Sequence, residues 1–438
     1  MKPMFMISCP IDTYSGYGAR ARDFVKALIE LDEYDVKVLP QRWGQTPWGF
    51  IEDHPEWHFL TDYIMNIQGN QLPKQPEIWC QITVPNEFQP VGKYNIGLTA
   101  GIETTGCHPT WLEGCNRMDL VLTSSTHSKK VFETINFERQ HPQTKQSMGV
   151  AKLEKPVEVL IEGADLDIYK PQKSEFDLSG IEEDFAYLFV GHWMQGNIGH
   201  DRKNVGLLIR LFFEAFKNKK KTPALILKTT TVGTSYIDRN EILKRIDIIR
   251  NSVEDARTLP NVYVLQGEMS NQEMNDLYTH NKVKAMISLT KGEGFGRPLL
   301  EFSLTKKPII TTNWSGHIDF LNEEFVSLLP GELHQLDDSS VVKDVLMKEF
   351  QWFGVDHTAS VMAMRDVFTN YKNYKEKATR QAYKSRTEFS FEKMVDQLKG
   401  YLNQYVPEFP KEVKLELPKL ELPKLNLPKL KKIENAEG

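Results

Sequence analysis

The segment KGEGFGRPLLE, residues 291–301, carries two glutamates on either side of a Gly-Phe-Gly turn. Glu293 precedes the turn, and Glu301 follows Pro298 by three residues. The pattern predicts a strand-to-helix connection with Pro298 at or near the first helical position, where the missing N–H of proline costs nothing. A capping role would explain one acid near a helix start, but not two acids with glycines between them. Carboxylates also accept charge-assisted hydrogen bonds from vicinal hydroxyls such as those of a ribose. We therefore interpret the pair as part of a ligand-binding loop.

Two adjacent cations, Arg202 and Lys203, directly precede another predicted helix. Their loop, within GHWMQGNIGHDRKN, follows the strongly apolar segment 185–192. A fixed cation pair beside the free N–H groups of a helix start favours an anion such as a phosphate. A charged, solvated loop is the alternative, and the loop alone does not decide between the two.

A glycine turn near the N-terminus has the form Gly16-x-Gly18-x-x-Ala21. It matches the loose dinucleotide fingerprint, in which glycines let backbone N–H groups approach a diphosphate at a helix start. A nicotinamide site would also require an acid near the end of the second strand. That strand ends in PQRW (40–43), where Arg42 would suit a 2′-phosphate instead. An NAD(P)-dependent enzyme and a plain tight turn both stay open as alternatives at this point.

The elements that must position these residues alternate between short apolar runs and amphipathic stretches. This alternation predicts parallel sheets with crossover helices, and a restart of the pattern at about residue 185 predicts two such units. Ligands of open α/β sheets bind beyond the carboxyl ends of the strands, so we expect the site in the cleft between the two units. We expect no strands after residue 340 and two helical stretches within 375–405.

Length and composition indicate several domains. The chain has 438 residues, too many for one ordinary core, and 40% of them are hydrophobic. The polar segment 167–180, which contains proline and glycine, marks the join. The predicted parts are an N-terminal Rossmann-like domain (1–172), a C-terminal Rossmann-like domain (173–375), helices that pack back on the first domain (376–408) and an extended tail (409–438).

The tail contains a five-residue Leu/Pro/Lys repeat. Proline at every fifth position is incompatible with a continuous helix and with a central strand. Two interpretations stay open for this segment: a solvated tail, or a segment that docks onto a protein partner or a membrane surface.

Charge and cysteine content exclude some classes of protein. A net charge of −5 argues against general nucleic-acid binding. The four cysteines, at positions 9, 80, 107 and 115, lack the spacing of a zinc site, so we expect buried free thiols. No window approaches the roughly 20 apolar residues of a membrane span, and the N-terminus lacks the apolar stretch of a signal peptide. We expect a soluble, cytoplasmic protein.

Together these landmarks resemble the retaining glycosyltransferases with two Rossmann-like domains (the GT-B type), and most closely glycosyltransferase family 4. Glu293 and Glu301 form the E-x7-E pattern of that family. FVGHWMQGNIGHDRKN resembles its phosphate-binding strand and loop, and VYVLQGEMSNQEMNDLY (262–278) its stretch past the base of the donor. IEGADLDIYKP (161–171) resembles its segment at the domain join. The resemblance covers most of residues 3–405 and rests on the order and spacing of these pieces.

The resemblance implies an α/β fold of two facing, doubly wound parallel-sheet domains and a hexosyl- or pentosyltransferase that uses a nucleoside diphosphate sugar, without a metal or another cofactor. Glu301 would bind the ribose hydroxyls, and Glu293 would face the transferring sugar. Lys203, together with Arg202, would neutralise the diphosphate and assist its departure. Glu103, in AGIETTG, is the candidate on the acceptor side. The other donor-binding residues would be Gly16, Gly18, Gly294, Phe295, Gly296 and Arg297.

Some features depart from the family pattern. Many relatives carry arginine directly after the glycine of the phosphate-binding strand, where this chain has His192, so it stays open whether Arg202 or Lys203 is the main phosphate ligand. The tripeptide Asp165-x-Asp167 binds a metal in a different glycosyltransferase fold, but here it lies at the domain join, and we expect no metal site.

The acceptor is not determined by these patterns: a glycan, a lipid-linked sugar, a protein or a modified DNA base all fit. Abundant aromatic residues and short connections suggest a phage enzyme. An inactive nucleotide-sugar-binding or structural protein of the same fold is the alternative to an enzyme.

Overall fold

Two six-stranded sheets organise the structure, a computed structural model that describes residues 2–65, 72, 74–140, 143–144, 146–231, 233 and 235–410. The strands are β1 (Met4–Cys9), β2 (Asp35–Pro40), β3 (Ile78–Ile82), β4 (Tyr94–Thr99), β5 (Leu120–Thr123), β6 (Phe137–Gln140), β7 (Ser147–Ala151), β8 (Val157–Val159), β9 (Ala186–Val190), β10 (Ala224–Lys228), β11 (Val262–Leu265), β12 (Val283–Ser288), β13 (Ile309–Thr312), β14 (Ser327–Leu329), β15 (Gly331–Gln335) and β16 (Gln351–Val355). The α-helices are α1 (Gly16–Leu31), α2 (Phe50–Asp53), α3 (Pro109–Arg117), α4 (Thr126–Thr134), α5 (Val205–Phe216), α6 (Tyr236–Asn251), α7 (Asn271–Thr279), α8 (Arg297–Ser303), α9 (His357–Thr369), α10 (Tyr371–Glu388) and α11 (Phe391–Tyr405). Short 3₁₀ helices cover Pro55–Tyr63, Pro85–Glu87, Gly316–Asp319 and Asp338–Ser340.

Both large sheets are parallel throughout. The first has the strand order β2-β1-β3-β4-β5-β8, and the second has the order β11-β10-β9-β12-β13-β14. The predicted fold of two Rossmann-like, doubly wound sheets is therefore confirmed. Strand order reverses between β1 and β3 in the first sheet and between β9 and β12 in the second. Ligands of such sheets bind where the order reverses, so a binding site is expected at the loops that follow these strands.

Strand β9 shows why the apolar runs form central strands. Tyr187 and Phe189 enter the hydrophobic cluster that contains Phe212 of α5, whereas Leu188 enters the cluster that contains Phe302 of α8. Both faces of the strand are covered by helices, so the sequence is continuously apolar instead of alternating. Each large side chain buried in this way contributes about 1.5–3 kcal/mol relative to an exposed one.

The prediction that strands end before residue 340 is wrong, because β16 pairs with β15 in a two-stranded antiparallel sheet. Trp352 of β16 packs with Leu336 and Leu346 in a small cluster of its own. A second two-stranded sheet, β6 with β7, also went unpredicted. The β7 residues before Ala151 are exposed, so an apolar pattern gave no signal there.

The C-terminal helices end the described fold as the sequence predicts, with Phe389 and Ser390 between α10 and α11. Ala164 donates a backbone hydrogen bond to Phe389 and accepts one from Phe391, both at 2.9 Å, and α11 contacts α1. Lys2–Pro407 form one compact unit. The proposed domain boundaries stay a prediction, and the tail from residue 411 onward lies outside the described residues.

The four cysteines are free and buried, as predicted. Within the described residues, no helix is long and apolar enough to cross a membrane.

Candidate functional site

The glycine turn after β1 opens toward the second sheet. Ser15 caps α1, its hydroxyl accepting a hydrogen bond of 2.9 Å from the Gly18 N–H. A side chain at Gly18 would lie 2.4 Å from the Thr13 carbonyl oxygen, whereas one at Gly16 would meet nothing within 4 Å. Gly18 is therefore required by the packing of the turn itself, and Gly16 leaves open space at the start of the helix.

The two loops that follow β9 and β12 are joined to each other. The backbone N–H of Lys291 donates to the Arg202 carbonyl at 2.8 Å, and the Arg202 guanidinium donates to the Gly292 carbonyl at 2.9 Å. Because β9 and β12 are neighbours at the reversal of strand order, these loops meet although they are about 90 positions apart in the chain. The predicted cation pair and the predicted glutamate loop thus form one site.

Lys203 and Glu293 form a bidentate ion pair at this site. The ammonium lies 2.6 Å and 2.7 Å from the two carboxylate oxygens, and Arg202 lies 3.5 Å from one of them. Burial alone would raise the pKa of Glu293, but attraction by Lys203 and Arg202 outweighs it and lowers the pKa to about 2. Glu293 is therefore a carboxylate at neutral pH.

Glu103 approaches this cluster from the first sheet. Its carboxylate lies 3.7 Å from the Arg202 guanidinium, so Arg202 lies between acids from both sheets. The backbone of Glu103 is in tight contact with the glycine loop, because a side chain at Gly292 would lie 2.0 Å from the Glu103 carbonyl oxygen. The candidate for the acceptor side therefore lies directly beside the predicted catalytic residues.

The glycines of the KGEGFGRPLLE loop allow the two sheets to approach closely. A side chain at Gly294 would lie 2.2 Å from the Ala100 carbonyl oxygen of the first sheet's β4 loop. Gly296 immediately precedes α8 and has φ +97°, a left-handed backbone conformation that favours glycine.

The ring of Phe295 is buried against Phe320, so only the backbone of Phe295 is available to a ligand. Pro298 lies in the first turn of α8, as predicted.

Glu301 lies on α8 inside a cage of hydrogen-bond donors. Arg297 donates through Nε to one carboxylate oxygen at 2.9 Å, and the Tyr278 hydroxyl donates to the other at 3.2 Å. The Tyr169 hydroxyl also bonds to this carboxylate. Burial raises the pKa of Glu301, although Arg297 and the hydroxyls oppose that effect. A carboxylate accepts about four hydrogen bonds, so room remains for a further hydroxyl donor.

Arg297 connects this cage to the first sheet. Its guanidinium forms an ion pair with Asp23 of α1 as well as with Glu301. Asp23 was missed at the sequence level, where it appeared as one position of an amphipathic helix. The available signal was three closely spaced charged residues, at positions 20, 22 and 23, among the apolar residues that α1 buries.

A cavity of about 260 Å³ lies between the glycine turn and the second sheet. Its lining includes Gly16, His192, Lys228, Glu268, Arg297 and Glu301. On the second-sheet side, its lining includes His192, which follows β9, and Thr229 and Thr230, which follow β10. The predicted donor-binding residues Gly16, Arg297 and Glu301 therefore share one cavity.

His192, at the position where many members of the family that this sequence resembles carry arginine, lies in the wall of this cavity. Its Nδ1 is 2.7 Å from the Thr230 hydroxyl. Burial, and then the charges of Lys203 and Arg202, lower its pKa to about 4. The imidazole is neutral at physiological pH, so the positive charge near this wall comes from the lysines and arginines.

The tripeptide Asp165-x-Asp167 belongs to no metal-binding cluster in the described part of the chain. No group of three or more His, Cys, Asp or Glu side chains there could hold a metal ion. Asp165 accepts a hydrogen bond from the backbone of Asp167 and pairs with Lys26, which is the behaviour of a turn.

Comparison with solved structures gives the fold a precedent. Sucrose-phosphate synthase from Thermosynechococcus elongatus superposes with a TM-score of 0.59 at 12% identity, over 92% of this chain and 99% of the other. A glycosyltransferase from Rickettsia africae gives a TM-score of 0.59 at 12% identity, over 92% and 98% of the two chains. Anabaena HepE, solved in complex with UDP and glucose, gives a TM-score of 0.56 at 13% identity, over 92% of this chain and 100% of the other. No protein-family model and no curated protein sequence matches the chain.

These likenesses show that the chain has the GT-B fold of two Rossmann-like domains. At 12–13% identity they establish the architecture and not the activity.

Proposed function

We propose that the protein is a retaining glycosyltransferase, similar to family 4, that moves a sugar from a nucleoside diphosphate sugar to an acceptor hydroxyl. The observation that carries the proposal is the convergence of Lys203, Arg202 and Glu293 where strand order reverses between β9 and β12. This cluster borders the cleft between the two sheets, where the fold binds its ligands. The solved likenesses include a glycosyltransferase and a protein bound to UDP and glucose, which supports the proposal.

Donor binding would use the cavity beside the glycine turn. The Glu301 carboxylate would accept a hydrogen bond from a ribose hydroxyl, since Arg297 and two tyrosines hold it in place. The diphosphate would lie between Lys203, Arg202 and the Gly294–Gly296 backbone. HepE contains UDP, so a uridine nucleotide is the first donor to test.

The reaction breaks the bond between the anomeric carbon and the diphosphate oxygen. Negative charge develops on the departing diphosphate, and two preorganised cations in a buried site stabilise such charge strongly. The acceptor oxygen bonds to the anomeric carbon on the face that the diphosphate leaves, and the acceptor proton passes to the departing diphosphate. These cations supply the positive charge that a divalent metal supplies elsewhere, so we propose that the reaction is metal-independent.

Glu293 is suited to positioning rather than to proton transfer. A carboxylate with a pKa of about 2 is a weak base, and its two oxygens are already bonded to Lys203. We propose that it orients the ammonium and contacts hydroxyls of the transferring sugar.

The test is a calorimetric titration with UDP, GDP and ADP, followed by assays of donor hydrolysis and transfer. We expect one nucleoside diphosphate to bind and its sugar conjugate to be hydrolysed slowly in the absence of an acceptor. Binding without hydrolysis or transfer would identify a nucleotide-sugar-binding protein without activity. Absence of binding by all three nucleotides would overturn the proposed function.

A further inference from the structure

The connection between β2 and β3 begins with a segment, Gln41–Tyr63, that is rich in aromatic residues. We call it the aromatic segment. It carries three tryptophans and two phenylalanines, at positions 43, 48, 57, 50 and 59. Large side chains on an exposed connection are unusual unless they cover the core or contact a ligand. Trp57 is buried, but Trp48 and Phe59 are 41% and 39% exposed.

The aromatic segment is fastened to the glycine turn. The Tyr14 N–H donates to the Pro47 carbonyl at 3.2 Å, and the Gly49 N–H donates to the Asp12 carbonyl at 3.1 Å. Trp48 pairs with Thr13 in an isolated antiparallel bridge. The aromatic rings therefore lie at the same carboxyl edge of the first sheet as the turn that precedes α1.

Stacked rings extend this edge toward the proposed catalytic loop. Trp43 stacks on Tyr17 with ring centroids 4.0 Å apart. The Tyr17 hydroxyl lies 2.9 Å from the Thr99 hydroxyl and accepts a hydrogen bond of 3.1 Å from the Ala100 N–H. Ala100 is in turn packed against Gly294. A continuous wall thus leads from Trp43 to the loop that carries Glu293.

The charge of the aromatic segment is negative. Gln41–Tyr63 contains one arginine against four carboxylates, and the arginine lies over the ring of Trp48, 5.7 Å from its centroid. Glu103 adds a further carboxylate at the catalytic end of the wall. Proteins that stack nucleic-acid bases on aromatic rings combine those rings with a positively charged groove, and anionic lipid surfaces also attract basic segments. A polyanionic acceptor therefore does not match this wall.

A neutral ring that carries several hydroxyl groups matches both the aromatic rings and the negative charge of this wall. Its C–H face packs against the flat face of tryptophan, and its hydroxyls donate charge-assisted hydrogen bonds to carboxylates. We propose that the acceptor is a neutral carbohydrate chain whose rings bind along Trp43 and Trp48, with the hydroxyl to be modified near Glu103. The proposal rests on the proposed function and names the acceptor class of the same site.

The experiment measures binding of a panel of neutral oligosaccharides to the full-length protein. The probes are trisaccharides to hexasaccharides of glucose, mannose, galactose and N-acetylglucosamine, titrated by calorimetry and by tryptophan fluorescence in the presence of UDP. Single-stranded DNA and vesicles of phosphatidylglycerol with phosphatidylcholine are the competing probes. We expect at least one oligosaccharide series to bind with saturation, and DNA and vesicles not to bind.

The variants are Trp43→Ala, Trp48→Ala and the conservative Trp43→Phe. Loss of a stacking face should weaken oligosaccharide binding about tenfold in each alanine variant, and Trp43→Phe should retain most of the affinity. Tyr383→Ala removes an aromatic side chain of 73% exposure from α10 and serves as the matched control with wild-type affinity. A UDP titration of each variant reports whether the donor cavity is still folded.

Wild-type protein that binds none of the oligosaccharides overturns the proposal, and so does preferential binding of DNA or vesicles. Oligosaccharide affinities that stay at the wild-type value in both alanine variants overturn it as well. In each case, UDP binding and hydrolysis of the donor test the proposed glycosyltransferase function independently of the acceptor class, because neither measurement involves an acceptor sugar.

Discussion

Lys203 donates hydrogen bonds to both oxygens of the Glu293 carboxylate, at 2.6 Å and 2.7 Å. Lys203 comes from the loop after β9, and Glu293 comes from the loop after β12. The pair is largely buried, so removing one partner leaves an uncompensated charge in a place of poor solvation. The ammonium is thereby held in a fixed position at the edge of the sheet, which is the preorganisation that stabilises a leaving anion.

Replacement of Lys203 by methionine should lower turnover of the nucleotide-sugar donor by about 100-fold, because the departing diphosphate loses a fixed cation. Steady-state rates of donor hydrolysis or transfer measure the effect. Lys307→Met is the matched control: Lys307 is also largely buried, but it donates to the backbone carbonyls of Tyr278 and His280. Urea denaturation of the Lys203→Met variant reports separately how much stability is lost when Glu293 is left unpaired. Equal turnover in the Lys203 and Lys307 variants would assign the role to Arg202 instead.

Replacement of Glu301 by glutamine should weaken UDP binding about tenfold, because a charge-assisted hydrogen bond to a ribose hydroxyl is lost. The sharper measurement compares UDP with 2′-deoxy-UDP and 3′-deoxy-UDP by calorimetry. Wild-type protein should prefer UDP to at least one of these analogues, and the Glu301→Gln variant should lose that preference. Tyr278→Phe, which removes one donor to Glu301 but keeps the carboxylate, should retain it. A preference that survives in the Glu301 variant would contradict the ribose assignment.

The convergence of the cation pair and the glutamate loop was predictable because both follow central strands. Continuous apolar runs such as 185–192 identify strands buried on both faces, and the carboxyl ends of parallel strands meet at one edge. The spacing of Glu293 and Glu301 marked the loop as unusual without any tertiary information. The parallel architecture and the position of Glu103 beside the cluster follow from the same rule.

Other features of the fold and the site depend on tertiary packing that no local sequence pattern indicates. Asp23 and Arg297 pair across 274 positions, and the sequence around either residue does not indicate this partner. The resemblance assigned Gly294 to donor binding, yet Gly294 is packed against Ala100 of the other sheet. Strand β16 was missed because it pairs outside the two large sheets, as a five-residue strand in a two-stranded antiparallel sheet with β15.

Replacement of Gly294 by alanine should lower the free energy of unfolding by about 1–3 kcal/mol, because overpacking forces backbone to move. The added methyl group would lie 2.2 Å from the Ala100 carbonyl oxygen, and both partners are backbone. Gly16→Ala is the matched control, since nothing lies within 4 Å of the added atom. Chemical denaturation of the two variants measures the difference. Equal stability of both variants would show that the loops carrying Gly294 and Ala100 separate readily, which contradicts their close contact.

The free energy of unfolding should depend on pH through Asp201, which lies before the cation pair and accepts a hydrogen bond from the Val205 N–H at 3.1 Å. Burial raises the pKa of this carboxyl from 3.8 to about 6, although the hydrogen bond from Val205 opposes the shift. Between these two values the folded protein holds a proton that the unfolded chain has released. The stability contributed by Asp201 is therefore complete below pH 3.8 and is lost as the pH rises through about 6, by roughly 3 kcal/mol in total.

Asp201→Asn removes this titration while preserving the shape of the side chain. We therefore expect the stability of the variant relative to wild type to increase as the pH rises across that window, measured by urea denaturation at several pH values. Asp247→Asn, which removes an exposed carboxylate from α6, is the control and should follow the wild-type curve. A difference between Asp201→Asn and wild type that stays constant with pH would show that the carboxyl has the same pKa in the folded and unfolded chain, so that Lys291 and the backbone hydrogen bonds fully offset its burial.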